Sequence, residues 1–152
     1  LKVDISVDDG SRSFTFTSIA LHLKASGGSE NRQRRLAAVV LLEDYLRTTV
    51  NGSGNDKIMV VGDFNDTLGS GADVFAPLAD AGLYTIQTED RYNAGDISFI
   101  PSDVLLDHVV TTNAMDVELP GSTTIIPRLD MQMTGYVGQV SDHLPVIVRA
   151  PL

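Results

Sequence analysis

Val60-Val61-Gly62-Asp63-Phe64-Asn65-Asp66 is the stretch on which the reading of this chain turns. A short apolar, β-branched run over residues 57–61 reads as a buried strand, and it stops at a glycine. Beyond the glycine, Asp63 and Asn65 stand two positions apart. In an extended chain such positions share a face, about 7 Å apart. A carboxylate and a carboxamide can then address one small ligand while Phe64 turns the other way, into the core. Asp63 could take a proton from water, and Asn65 could donate a hydrogen bond to a phosphate oxygen. The same residue types also suit an ordinary turn after a strand. By itself the heptapeptide leaves both readings open.

Working outward, the elements before it are clear. Val3, Ile5 and Val7 alternate as a strand does, and Asp9-Gly10 is a hairpin turn signal. A second strand covers residues 13–23, with Phe14 and Phe16 on one face. Its far half, Ile19-Ala20-Leu21, is continuously apolar and runs into His22. Ser26-Gly27-Gly28-Ser29 reads as a loop, and residues 30–48 as a helix whose apolar face is Ala38, Leu41, Leu42, Tyr45 and Leu46. Asn51-Gly52-Ser53-Gly54-Asn55 ends it. Downstream, residues 72–81 predict a second helix with Val74, Phe75, Leu78 and Ala79 inward and Gly82 as its stop. Residues 97–100 and 104–111 predict strands separated by Pro101-Ser102. Residues 116–119 and 123–126 give weaker strand signals, 131–140 a loop, and 146–149 a closing strand. This order predicts an α/β fold, one mixed sheet with helices on one face, and chemistry on loops at strand ends. No internal repeat or domain boundary interrupts residues 1–152.

Composition narrows the function classes. Cysteine is absent, which excludes disulfides, thiolate metal sites and cysteine nucleophiles. The chain carries 11 basic and 20 acidic residues, a net charge of −9, which disfavours a protein that coats DNA non-specifically. It leaves room for an enzyme that grips one phosphate with a metal, histidine and a few arginines. No apolar run reaches the roughly 18 residues of a membrane span; the longest, residues 36–42, is a helix segment. The chain opens on Leu1 and a strand pattern, so it is expected to begin inside a domain. Its compartment stays open.

Three further motifs carry candidate chemistry. In Val140-Ser141-Asp142-His143-Leu144-Pro145-Val146, a carboxylate suited to a hard cation such as Mg²⁺ adjoins an imidazole that could contact phosphate or donate a proton. The alternative is a polar loop entering an edge strand. In Leu105-Leu106-Asp107-His108-Val109-Val110, an aspartate sits within an apolar strand. A buried carboxylate needs a partner, and a histidine held by it would have a fixed tautomer and orientation. The alternative is an exposed strand edge. His108 faces the other way and reads as structural. In Ala20-Leu21-His22-Leu23-Lys24, a histidine ends a buried strand, where a satisfied core or rim residue is commoner than a catalyst, and only the company of the other motifs raises it. Arg32, Arg34 and Arg35 open the first helix, where positive charge opposes the helix dipole. That points either to anion contact or, as the preferred reading, to pairing with Glu30 and its neighbours. Tyr92 and Ser98-Phe99-Ile100-Pro101 precede the Asp107 strand and are candidates to line a substrate groove, with the core as the preferred reading of Phe99 and Ile100.

In order, His-Leu-Lys, Gly-Asp-Phe-Asn, Leu-Asp-His and Ser-Asp-His-Leu-Pro-Val resemble the endonuclease/exonuclease/phosphatase superfamily, the deoxyribonuclease-I-like fold. That superfamily includes nucleases, abasic-site endonucleases, neutral sphingomyelinases and inositol-polyphosphate phosphatases. The resemblance covers essentially the whole chain but only the second half of the family's domain. It implies the C-terminal half of a four-layered α/β sandwich, with the absent N-terminal half as the intramolecular partner. It also implies that Asp63 orients or deprotonates the attacking water, that Asn65 steadies the phosphate, and that His143, held by Asp107, contacts the scissile phosphate. Asp142 would bind the divalent metal, Mg²⁺ or Mn²⁺ with Ca²⁺ a further candidate, and His22 would assist the leaving group. The substrate implied is a phosphate ester, nucleic acid first, with phospholipid or inositol phosphate as alternatives. The family's first-half metal ligands, an asparagine and a glutamate, have no match: Glu30, Glu43, Glu89 and Glu118 stand in other contexts. The isolated chain is therefore expected to be inactive or weak. A non-catalytic interaction module on the same fold, and an unrelated α/β domain with chance motifs, are the rival expectations.

Overall fold

A computed structural model describes residues 1–52, 55–69 and 73–151. A five-stranded mixed sheet runs in the order β1-β2-β3-β5-β4. The strands are β1 (Lys2–Asp8), β2 (Ser13–His22), β3 (Ile58–Asp63), β4 (Tyr84–Ile86) and β5 (Asp107–Thr112). Only β2 and β3 are parallel neighbours, and the 23-residue α1 (Ser29–Asn51) makes the crossover between them. β1 pairs antiparallel with β2, and β5 antiparallel with both β3 and β4. A separate ribbon joins β6 (Thr123–Ile125) to β7 (Ile147–Arg149).

The core lies between α1 and one face of the sheet. Val39 and Leu46 of α1 meet Ile58, Val60, Tyr84 and Val110, with Phe64, Phe75 and Leu78 closing one end. Each fully buried side chain of this size stabilises by about 1.5–3 kcal/mol. The inward stripe of α1 is Arg35, Val39 and Leu46, with the partly buried Leu42, at i, i+4, i+11 and i+7. It is rotated from the face expected from sequence: Leu41 and Tyr45 point outward, at 71% and 39% exposure. On the opposite sheet face, Val3 and Ile5 are exposed beside the partly buried Phe16 and Met59.

Several expected elements differ. Of the helix expected over residues 72–81, Ala72 lies outside the described residues, as do Ser53 and Gly54 of the loop after α1. The rest is only a 3₁₀ turn, Ala76–Leu78, with Pro77 in its first turn. Proline tolerates that position and lacks the N–H needed further in. Residues 97–100 form no strand; Phe99 makes single bridges to Val104 and His143, and Ile100–Ser102 is a second 3₁₀ turn. The next strand begins at Asp107 rather than 104, so Asp107 opens it instead of lying inside it. In place of a strand over 116–119, the short α3 (Asn113–Asp116) is capped by the Thr112 hydroxyl. Residues 131–140 hold most of two single-turn helices, α4 (Leu129–Gln132) and α5 (Tyr136–Gln139). β4 and the short α2 (Glu89–Asn93) had no sequence expectation.

Candidate active site

The sheet topology gathers the motifs at one edge. Because β2 and β3 are parallel, their C-terminal ends emerge together, and His22 stands in register with Asp63. β5 runs the other way, so its first residue, Asp107, pairs with Asp63. Three polar side chains thus sit side by side on adjacent strands. His143 extends the row: its Nδ1 lies 2.7 Å from Asp107 Oδ2, and its backbone bridges to Phe99. Asp63 and His22 are in contact as well, Nε2 to Oδ2 at 3.4 Å.

Local rules fix each member. At Gly62, φ is +138° and a Cβ would fall 2.0 Å from the Leu21 carbonyl oxygen. Only glycine permits that approach of β3 to β2. After it, Asp63 Oδ1 accepts from the Asn65 backbone N–H at 2.7 Å, and Asn65 takes the left-handed conformation, φ 52°, which asparagine tolerates. The Asn65 amide donates both to Asp63 Oδ2 (2.8 Å) and to the Leu23 carbonyl (3.1 Å), tying the two loops together. Phe64 turns inward and is fully buried, as the alternation requires.

Asp107 is held from two sides. Its Oδ2 accepts from the Ser98 hydroxyl at 2.6 Å as well as from His143. Ser98 Oγ in turn accepts from the Leu106 and Asp107 backbone N–H groups, both at 3.0 Å. His143 is fixed further by its N–H to Ser141 Oγ (2.9 Å), by Tyr136, whose hydroxyl donates to its carbonyl (3.0 Å), and by the Phe99 ring 4.9 Å away. With Nδ1 donating to Asp107, Nε2 is the nitrogen left for another partner.

The electrostatics follow. Burial raises the Asp63 pKa; the Asn65 N–H opposes this, and the negative charge of Asp107 adds to it, leaving it above the usual aspartate value. Burial alone would lower His143, but its Asp107 hydrogen bond and the charges of Asp107, Asp63 and Asp142 outweigh that and raise it. A cavity of about 750 Å³ opens over this edge, lined by His22, Asp63, Asn65, Asp142 and His143 together with Arg32 and Arg35. All six residues singled out from sequence therefore stand on this cavity or, for Asp107, directly behind its wall. Phe99 lines it too, whereas Tyr92 packs on the core.

Asp142 offers oxygen ligands suited to a hard cation. Among the described residues, no group of three or more His, Asp or Glu is placed to hold a metal ion. A single such carboxylate can share a hard cation with waters and a substrate phosphate. Among the described residues no helix is long and apolar enough to cross a membrane.

Sequence reasoning missed two supports. Ser98, a groove candidate by sequence, is instead completely buried and holds Asp107. Arg35 was readable: it occupies a core-facing position of α1. Its guanidinium is 4% exposed and donates to Asp66 Oδ2 through Nε (3.0 Å) and Nη2 (2.9 Å). Through Nη1 it reaches the Lys24 and Ser26 carbonyls. It clamps the loops after β2 and β3. The pairing expected for the arginine cluster holds for Arg34 with Glu30, but not for Arg35.

No protein-family model and no curated protein sequence matches the chain. Solved structures do. TDP2 from C. elegans superposes with a TM-score of 0.63 at 13% identity, over 94% of this chain and 44% of that one. The human Nocturnin catalytic domain, solved with a bound sulfate anion, gives 0.56 at 17% identity over 97% and 51%. An endonuclease/exonuclease/phosphatase family protein from Bacteroides thetaiotaomicron gives 0.52 at 15% over 92% and 50%. The chain thus has the α/β fold of the endonuclease/exonuclease/phosphatase proteins and spans about half the length of these structures.

Proposed function

From the fold it shares with endonuclease/exonuclease/phosphatase proteins, we propose that this chain carries the phosphate-binding and water-activating edge of a metal-dependent phosphoesterase. The observation that carries the reading is the single row His22, Asp63, Asp107, His143, assembled from four separate motifs. A phosphodiester, nucleic acid first, is the proposed substrate. A sulfate, tetrahedral and anionic like a phosphate group, is bound in the Nocturnin structure, which is consistent with this choice.

In this reading Asp63, whose raised pKa makes it a better base than an ordinary aspartate, accepts the proton of the attacking water. Asn65 was expected to donate to the phosphate, but both its amide N–H bonds go to Asp63 and the Leu23 carbonyl, so its part is to hold Asp63 in place. Asp107 accepts from His143 Nδ1 and favours the protonated ring, in which Nε2–H is free to donate to the phosphate. His22, the most exposed of the row at 69%, stands at the rim and assists the departing oxygen. Asp142, with water and substrate oxygens, would hold Mg²⁺ or Mn²⁺, which when bound neutralises charge on the phosphoryl group.

Two measurements test this. In a protein containing this chain, D63N and H143Q should each reduce Mg²⁺-dependent phosphodiester turnover by about 10²–10⁴-fold; undiminished rates in both would refute the assignment. In the 152-residue chain, expected to turn over weakly alone, inorganic phosphate should shift the His143 and His22 ring resonances. The net charge of −9 favours a second reading, a small phosphomonoester or a lipid headgroup as substrate. Comparing rates on single-stranded oligonucleotide and on phosphomonoester separates the two.

A further inference from the structure

Arg32 is the one member of the arginine cluster that the clamp and the surface pairing leave unexplained. Arg34 is engaged by Glu30 on the solvated face of α1. Arg35 is buried against Asp66 and two backbone carbonyls. Arg32 faces the same cavity as His22, Asp63, Asn65 and His143. Its only hydrogen bond or ion pair through the side chain, among the described residues, is Nε to Asp66 Oδ2 at 3.4 Å. That oxygen already accepts two closer bonds from Arg35. Two guanidinium groups therefore share one carboxylate. The three side chains together carry one positive charge, and Arg32, 37% exposed, presents it to the cavity with both terminal amino groups open.

The same cavity is also lined by the carboxylates Asp63 and Asp142, so it holds charges of both signs. A ligand with a single phosphate at the His143 side would leave Arg32 facing water. A guanidinium presents paired N–H donors in a planar fork suited to a phosphate. Resting on the phosphoesterase reading of this cavity, we infer that Arg32 binds a second phosphate of the substrate, one linker away from the phosphate at His143. The site then selects ligands with two phosphates over those with one. The second phosphate could be the next one along a nucleic-acid strand or the partner group of a small bisphosphate; the chemistry Arg32 recognises is the same.

The test titrates the 152-residue chain with three probes, following the His22 and His143 ring resonances: inorganic phosphate, 1,3-propanediol bisphosphate and 5′-phosphorylated thymidine dinucleotide. A charge-assisted contact is worth about a factor of ten in affinity, so at least one two-phosphate probe should bind about tenfold more tightly than inorganic phosphate. R32Q should remove that advantage and leave inorganic phosphate unchanged, and R34Q should alter neither. An advantage confined to the dinucleotide assigns a nucleic-acid strand, and one confined to the bisphosphate assigns a small molecule. Equal affinity for all three probes, or an advantage that survives in R32Q, overturns the role of Arg32 while leaving the phosphate site intact. No response to inorganic phosphate overturns the reading of the cavity and this inference with it.

Discussion

Acid should destabilise this protein through His108, a histidine outside the proposed chemistry. Its ring is buried, with Phe64 and Phe75 edge-on at 5.9 and 4.8 Å. Nδ1 lies 2.8 Å from the Thr88 hydroxyl and Nε2 lies 3.2 Å from the Asp66 carbonyl. A carbonyl can only accept, so Nε2 carries the proton and Nδ1 accepts from Thr88. Burial lowers the pKa from 6.5 to about 4, against smaller upward pulls from the Asp66 and Leu105 backbone. The sign follows from proton binding: the unfolded chain takes up a proton near pH 6.5, the folded chain only near 4. The stability is intact above about pH 6.5 and is lost as pH falls through that window. The gap corresponds to roughly 3 kcal/mol, a sizeable share of a domain's stability. Urea unfolding at pH 7.5 and pH 4 measures it, with H108Q as the control, because glutamine keeps a donor and an acceptor but cannot titrate. H108Q should escape most of the extra acid loss. Equal losses in the two proteins, within about 0.5 kcal/mol, would refute the argument.

Three other outcomes are expected. R35Q leaves Asp66 buried without its closest cation, and urea unfolding should show a loss of about 3–5 kcal/mol; a loss below about 1 kcal/mol would mean the clamp contributes little. G62A places a methyl group 2.0 Å from the Leu21 carbonyl oxygen at a φ only glycine adopts easily. It should cost at least about 2 kcal/mol and broaden the Asp63 and Asn65 amide resonances; an unperturbed spectrum would contradict the close approach. D107N should lower the His143 pKa in an NMR titration, since the Asp107 hydrogen bond and charge are what overcome its burial. The raised pKa gives stability that is full below about pH 6.5 and fades as pH rises through the folded value, and D107N should remove that dependence.

What the sequence made readable and what it hid divide along a physical line. β1, β2, α1 and β3 were readable because each shows a strand or helix period or a short continuous apolar run, with turn residues or a glycine at its end. Residues 73–106 were not, because they bury side chains without regular periodicity. Phe75 and Leu78 enter the core from turns, and Phe99 makes single bridges rather than a ladder. Pro77 was the available sign that residues 72–81 would not make a full helix. The face of α1 was misplaced because Leu41 and Tyr45 look like core residues by hydropathy, while the buried stripe contains an arginine. A charge on a core-facing helical position violates the usual pattern, and such violations mark places where a local rule yields to a specific partner. Asp107 at the head of β5 is the parallel case: its strand looked apolar throughout, and its partners, Ser98 and His143, come from segments with no strand pattern of their own.

The arrangement accounts for where the proposed reactive pair stands. In the proposed reading Asp63 and His143 act as base and donor, and their environments displace both pKa values upward for different reasons, the first chiefly by burial, the second by Asp107 against burial. Asp107 acts on both: it is the cross-strand neighbour of Asp63 and the hydrogen-bond partner of His143. One carboxylate thus makes Asp63 readier to accept a proton and His143 readier to keep one, the division of labour that lets two titratable groups serve as base and donor in a single site. That effect needs Asp107 at the first position of an antiparallel strand beside Asp63, which the β2-α1-β3 crossover makes available. Moving Asp107 two residues along β5 would break both links at once. The edge position that the apolar look of its strand obscured is the one that couples the two groups.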